Sequence, residues 1–117
     1  MFSDPQSVTL NSVAQSLPKI EVGPRKGVYR KSDGTLQETI SHTPTKNGRV
    51  RSMIRLDQFA VVTDPLGESD SDFQAVYIVW DRPNFGFTQT QVEQLTAALT
   101  GAVNVGGVVG KIFGGES

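Results

Sequence analysis

Apolar and polar positions alternate in short runs over the first two-thirds of the chain, and helical spacing takes over only after residue 82. Ser7 to Leu10 and Leu17 to Val22 are β-prone runs, so residues 6–22 read as an N-terminal β-hairpin, closed by Gly23-Pro24. The run Gly27 to Lys31 enters Ser32-Asp33-Gly34-Thr35, whose Asp-Gly pair predicts a tight hairpin turn. Leu36 to Thr43 is the next strand, and Asn47-Gly48 predicts a second hairpin after Pro44-Thr45-Lys46. No break divides residues 49–63, which can form one long strand or two. Residues 64–72 then form a polar loop, and Phe73 to Trp80 is an apolar, aromatic and β-branched strand.

After Arg82-Pro83 the period changes. Thr88 and Gln91 stand at capping-box spacing, and Phe87 before the cap can staple to Val92. Val92, Leu95, Leu99 and Ala102 then fall on one helical face. Gly101 and the Gly106-Gly107 pair weaken or end that helix, and a shorter apolar turn from Val108 to Phe113 stops at Gly114-Gly115. The expected fold is α+β: the hairpin of residues 6–22, an antiparallel sheet of about five strands over residues 27–81, and two C-terminal helices within residues 88–113. With 117 residues the chain suits one domain, residues 1–117.

Strand alternation assigns faces. Gln37, Thr39, Ser41 and Thr43 alternate with Leu36, Glu38, Ile40 and His42; Arg49, Arg51, Met53 and Arg55 alternate with Val50, Ser52, Ile54 and Leu56. If the Asn47-Gly48 hairpin pairs the two strands, the small polar row lies beside the arginine row, and the aliphatic row faces the other way, toward the helices. A slip of one residue reverses this arrangement and would turn Glu38 toward the basic row.

Charge sharpens the picture. The formal net charge of −1 conceals a segregation: eight bases between Arg25 and Arg55 face two acids, whereas five acids and no base lie between Asp57 and Asp72. A mixed, merely solubilising surface would intersperse the signs, so a polyanion-facing sheet is indicated. Arginines contact phosphates and stack on bases, small hydroxyls and amides bond exposed base edges, and Tyr77 adds a stacking surface. The plainer alternative is that one face of an antiparallel sheet simply lies in water.

Other chemistry has little material. There is no cysteine, so disulfides and thiolate metal sites are excluded. His42 is the only histidine, and no Gly-x-Ser-x-Gly elbow accompanies it, so no catalytic residues are assigned and no enzyme is expected. Asp70-Ser71-Asp72 with Glu68 is more economically a solvated loop than a cation site. Neither a cofactor nor a metal is expected, and no stretch approaches a signal peptide or a membrane span.

The order and spacing of these elements resemble a levivirus-type coat protein of single-stranded-RNA bacteriophages over nearly the whole chain. The resemblance rests on the hairpin around Ser7-Val8-Thr9-Leu10, the connection from Gly27 to Gly34 and the strands flanking Pro44-Thr45-Lys46-Asn47-Gly48-Arg49. The segment Asp81-Arg82-Pro83-Asn84-Phe85-Gly86-Phe87-Thr88 and the terminal Gly114-Gly115-Glu116-Ser117 belong to it as well. It implies an interlocked homodimer whose helices pack over the partner's sheet, with Val92, Leu95 and Leu99 in that packing. It further implies an icosahedral shell, usually T=3, assembled in a bacterial cytoplasm around single-stranded genomic RNA, with a maturation protein as a possible minor partner. By position, the RNA-binding residues would be Gln37, Thr39, Ser41, Arg49, Arg51 and Arg55, with Lys46 beside them and Tyr77 on the last strand. A dimeric RNA-binding module that closes no shell is the rival reading, and assembly separates the two.

Overall fold

The computed structural model describes residue 2 and residues 4–117. By contact density the chain divides into two compact units, Met1–Arg82 and Pro83–Ser117. Among the described residues the strands, all in the first unit but for the last residue of β7, are β1 (Gln6–Leu10), β2 (Val13–Leu17), β3 (Lys19–Gly23), β4 (Lys26–Arg30), β5 (Leu36–Thr45), β6 (Arg49–Thr63) and β7 (Ser69–Pro83). β1 and β2 form a separate antiparallel hairpin, and the remaining five make a meander in the order β3-β4-β5-β6-β7.

The N-terminal region departs from the sequence expectation. The hairpin is residues 6–17, turned at Asn11 and Ser12, whose φ angles of 52° and 64° are both left-handed. Lys19–Gly23 pairs instead with β4 in the main sheet. Pro18 causes the division, because it carries no N–H and cannot continue a ladder. Its carbonyl accepts from Arg30 N (2.9 Å), and Lys19 N is held by Asp4 Oδ1 (2.9 Å).

The two Gly-containing turns form where expected. Gly34 (φ 76°) and Gly48 (φ 69°) supply the left-handed geometry of the β4–β5 and β5–β6 connections. Asp33 Oδ1 accepts from both the Thr35 amide (3.0 Å) and the Thr35 hydroxyl (2.7 Å), and Lys31 closes on the same carboxylate. These bonds hold the exposed Asp33 carboxyl below its ordinary range.

Residues 49–63 form one continuous strand, and the polar loop is shorter than expected. Only residues 64–68 separate β6 from β7, because Ser69 to Asp72 already belong to the strand. Asp64 organises that turn by accepting from Leu66 N and Glu68 N, both at 2.9 Å. Asp70 and Asp72 bond the amides that follow them, and among the described residues no cluster of three potential metal ligands occurs.

The core of this unit is the aliphatic face of β5 and β6. Leu36, Ile40 and Tyr29 are buried together with Leu17 of β2, and Val8, Ile54 and Leu56 pack against them. The aliphatic row expected to face the helices therefore carries the N-terminal hairpin. Glu38 lies on this same face, opposite Tyr29 and Leu56, only 6% exposed. Among the described residues its carboxylate has no bonding partner, and desolvation pushes its pKa up.

The second unit is α1 (Gln89–Val103) and α2 (Val108–Phe113). The capping box is complete: Gln91 N donates to Thr88 Oγ1 (3.2 Å), and Thr88 N donates to the Gln91 side chain (3.0 Å). Gly107 (φ 88°) starts α2. No residue of either helix is buried.

Candidate nucleic-acid interface

The site grows from the β5–β6 register. Gln37 pairs with Asp57, Thr39 with Arg55, Ser41 with Met53, Thr43 with Arg51 and Thr45 with Arg49. Since paired residues point to one side, the small polar row and the arginine row share a face. β4 extends it, with Lys26 opposite Ser41, Val28 opposite Thr39 and Arg30 opposite Gln37. On the far side Tyr77 and Phe73 of β7 join, both within reach of the Arg55 guanidinium. His42 and Glu38 alternate to the opposite face, where His42 Nδ1 bonds Ser52 Oγ at 2.9 Å.

A shallow groove of about 490 Å³ runs over the middle of this face. Gln37, Thr39, Ser41 and Arg55 line it, so four of the residues singled out from the sequence come together there. Arg49, Arg51 and Tyr77 lie outside it on the same face, and Lys46 sits exposed in the β5–β6 turn. The groove also contains Lys26, Met53, Asp57, Phe59 and Phe73, which sequence reasoning did not assign. Alternation was a usable signal for them: Met53, Asp57 and Phe59 continue the odd-numbered row of Arg55, and Phe73 stands four residues before Tyr77 on one strand.

The charges on this face are unequal. Lys26, Arg30, Arg49, Arg51 and Arg55 share it with Glu21, Asp57 and Asp81, which leaves it basic. Two arginines are already engaged. Arg55 Nε donates to Asp57 Oδ1 at 2.8 Å, with the Asp57 side chain 8% exposed. Arg49 Nε donates to Asp81 Oδ1 at 3.0 Å. Among the described residues Lys26, Arg30, Lys46 and Arg51 form no ion pair, so they carry the charge available to an outside anion. Arg55 instead lies over two rings, 5.8 Å from the Tyr77 centroid and 6.0 Å from that of Phe73.

The packing residues expected on α1 form an uncovered stripe. Val92 is half-buried, while Leu95 is 75% exposed and Leu99 55% exposed. On α2, Ile112 and Phe113 are exposed too. Scattered surface leucines need no explanation, whereas these apolar side chains repeat at helical spacing.

No protein-family model matches the chain, and neither does any curated protein. Solved structures do. The virus-like particle of bacteriophage AVE019 superposes with a TM-score of 0.81 at 12% identity, covering 96% of this chain and 94% of that one. The virus-like particle of Beihai levi-like virus 21 gives 0.74 at 8% identity, with 97% and 95% covered. The protein capsid of bacteriophage GA gives 0.65 at 13% identity, with 96% and 95% covered. These likenesses span nearly the whole of each chain, and the hairpin, five-stranded meander and two helices make the levivirus-type RNA-phage coat-protein fold.

Proposed function

We propose that the chain is the structural capsid subunit of a small single-stranded-RNA phage. Two copies interlock, with α1 of each laid over the other's sheet so that Leu95 and Leu99 are buried. The two units of each chain then become parts of one coat-protein domain. Dimers close an icosahedral T=3 shell in the host cytoplasm, and the basic sheet face lines the interior against genomic RNA. Phosphates are met by Lys26, Lys46 and Arg51, while Gln37, Thr39 and Ser41 offer hydrogen bonds to base edges. A maturation protein is the one minor partner this role would add.

The observation that supports the reading best is the full-length likeness to the AVE019 virus-like particle. The exposed α1 stripe supports it independently, since a folded subunit with such a row requires a cover. Size-exclusion chromatography with negative-stain microscopy of the purified protein tests it: closed particles are expected. A dimer that binds RNA yet never closes would favour a free-standing RNA-binding module, and a stable monomer at all concentrations would contradict both.

A further inference from the structure

The core carries one group that its packing does not explain. Glu38 stands in the aliphatic row of β5 between Leu36 and Ile40, with Tyr29 across on β4 and Leu56 across on β6. Those four neighbours belong to the floor on which Leu17 and Val8 of the N-terminal hairpin rest. The charged and titratable side chains around this floor are committed elsewhere. Lys19 of β3 lies over the Tyr29 ring at 5.5 Å, Lys31 closes on Asp33, Asp4 accepts from Lys19 N, and His42 bonds Ser52. β1 and β2 bring no titratable side chain, and β6 turns Gln58, Leu56, Ile54 and Ser52 to this side. The hairpin above pairs its strands with each other and not with the sheet. It is anchored at one end by the bonds around Pro18, and its other end is the exposed Asn11-Ser12 turn.

We propose that Glu38 is a proton-operated latch for the N-terminal hairpin: residues 6–17 stay seated on the sheet while its carboxyl is neutral, and its ionisation lifts them about Pro18. The latch works within the single chain and is separate from any role in a shell. A carboxylate needs water, and among the described residues no donor or cation replaces water beside Glu38. Moving the hairpin admits water at the least cost, because β4, β5 and β6 are held by ladders around Glu38 and the hairpin shares no ladder with them. Ionisation is disfavoured only while the hairpin is down. The seated form is therefore most stable below the ordinary carboxyl value, and that stability is lost as pH rises through the value raised by burial. Lifting bares Leu36, Ile40 and Tyr29 as an apolar patch.

Amide hydrogen exchange of the full chain, read by mass spectrometry as protection relative to the unstructured rate at each pH, tests the latch. Protection of residues 6–17 should fall about tenfold for each pH unit between the ordinary carboxyl value and the raised one, while β5 and β6 keep theirs. Glu38→Gln should hold the hairpin protection level across that range, and His42→Asn should leave the fall as it is in the unaltered chain. Three results would overturn the latch: hairpin protection that ignores pH in the unaltered chain, a fall that persists in Glu38→Gln, or an equal loss in β5 and β6. The comparison of the hairpin with β5 and β6 is made in the unaltered chain, so it decides the matter even where a variant fails to fold.

Discussion

Asp57 and Arg55 stand two positions apart on one strand and point to the same side, and the buried Asp57 carboxylate holds the Arg55 guanidinium at 2.8 Å. An arginine that is a free phosphate ligand in a strand diagram is thus partly neutralised in the fold. Removing Asp57 should have two consequences. Asp57→Ala should lower stability by about 2 kcal/mol, the usual worth of a hydrogen bond to a charged group, as read by urea denaturation. It should also steepen the salt dependence of RNA binding, because one more cation becomes available to phosphate. An unchanged slope would mean that Arg55 faces phosphate already.

Arg51 and Arg49 should behave differently despite their shared face. Arg51→Ala should weaken RNA binding and make the slope of log affinity against log salt shallower by about 0.7, the single-strand value for one phosphate contact. Arg49→Ala should change the slope less, since Asp81 already balances that charge. Equal slopes for the two variants would count against the division into free and engaged cations.

Glu38 supplies a pH dependence whose sign follows from its burial. The fold disfavours its ionised form, so its folded pKa lies above the unfolded one. The contribution to stability is then complete below the ordinary carboxyl value and is lost as pH rises through the folded pKa. Glu38→Gln should raise the melting temperature at neutral pH relative to the unaltered chain, and the gain should vanish at acid pH. A gain that persisted or grew on acidification would show that Glu38 is not the group concerned.

Leu95→Asp and Leu99→Asp should leave the subunit folded and abolish its assembly. Both positions are more than half exposed in the single chain, so a charge there meets water. In the proposed dimer the same charge would be buried without a partner. Far-ultraviolet circular dichroism should be unchanged while size exclusion shows a monomer. Normal particles from either variant would remove α1 from the dimer interface.

Much of this was legible in the residues, for physical reasons that differ by element. Asn47-Gly48 and Asp33-Gly34 set their turns through the left-handed φ that glycine tolerates, and each turn then sets the register of the strands it joins. That is why the face shared by Thr39 and Arg55 could be read in advance. Thr88 and Gln91 cap α1 through contacts three residues apart, which also are local. The division at Pro18 was missed because the apolar run continues through it, and only the loss of its N–H separates β2 from β3. Ser69 to Asp72 read as loop by their polar composition, which masks a strand whose hydrogen bonds come from β6. The pairing of Phe59 with Phe73 depends on a register across the 64–68 turn, where no glycine dipeptide announces it.

Electron cryomicroscopy of the assembled particle, at a resolution that traces side chains, reaches the central claim most directly. The account predicts a closed shell with Arg51, Thr39 and Tyr77 on its inner wall and RNA density lying against them. A shell that presents this face outward, or one whose inner wall is built from the helices, would contradict it.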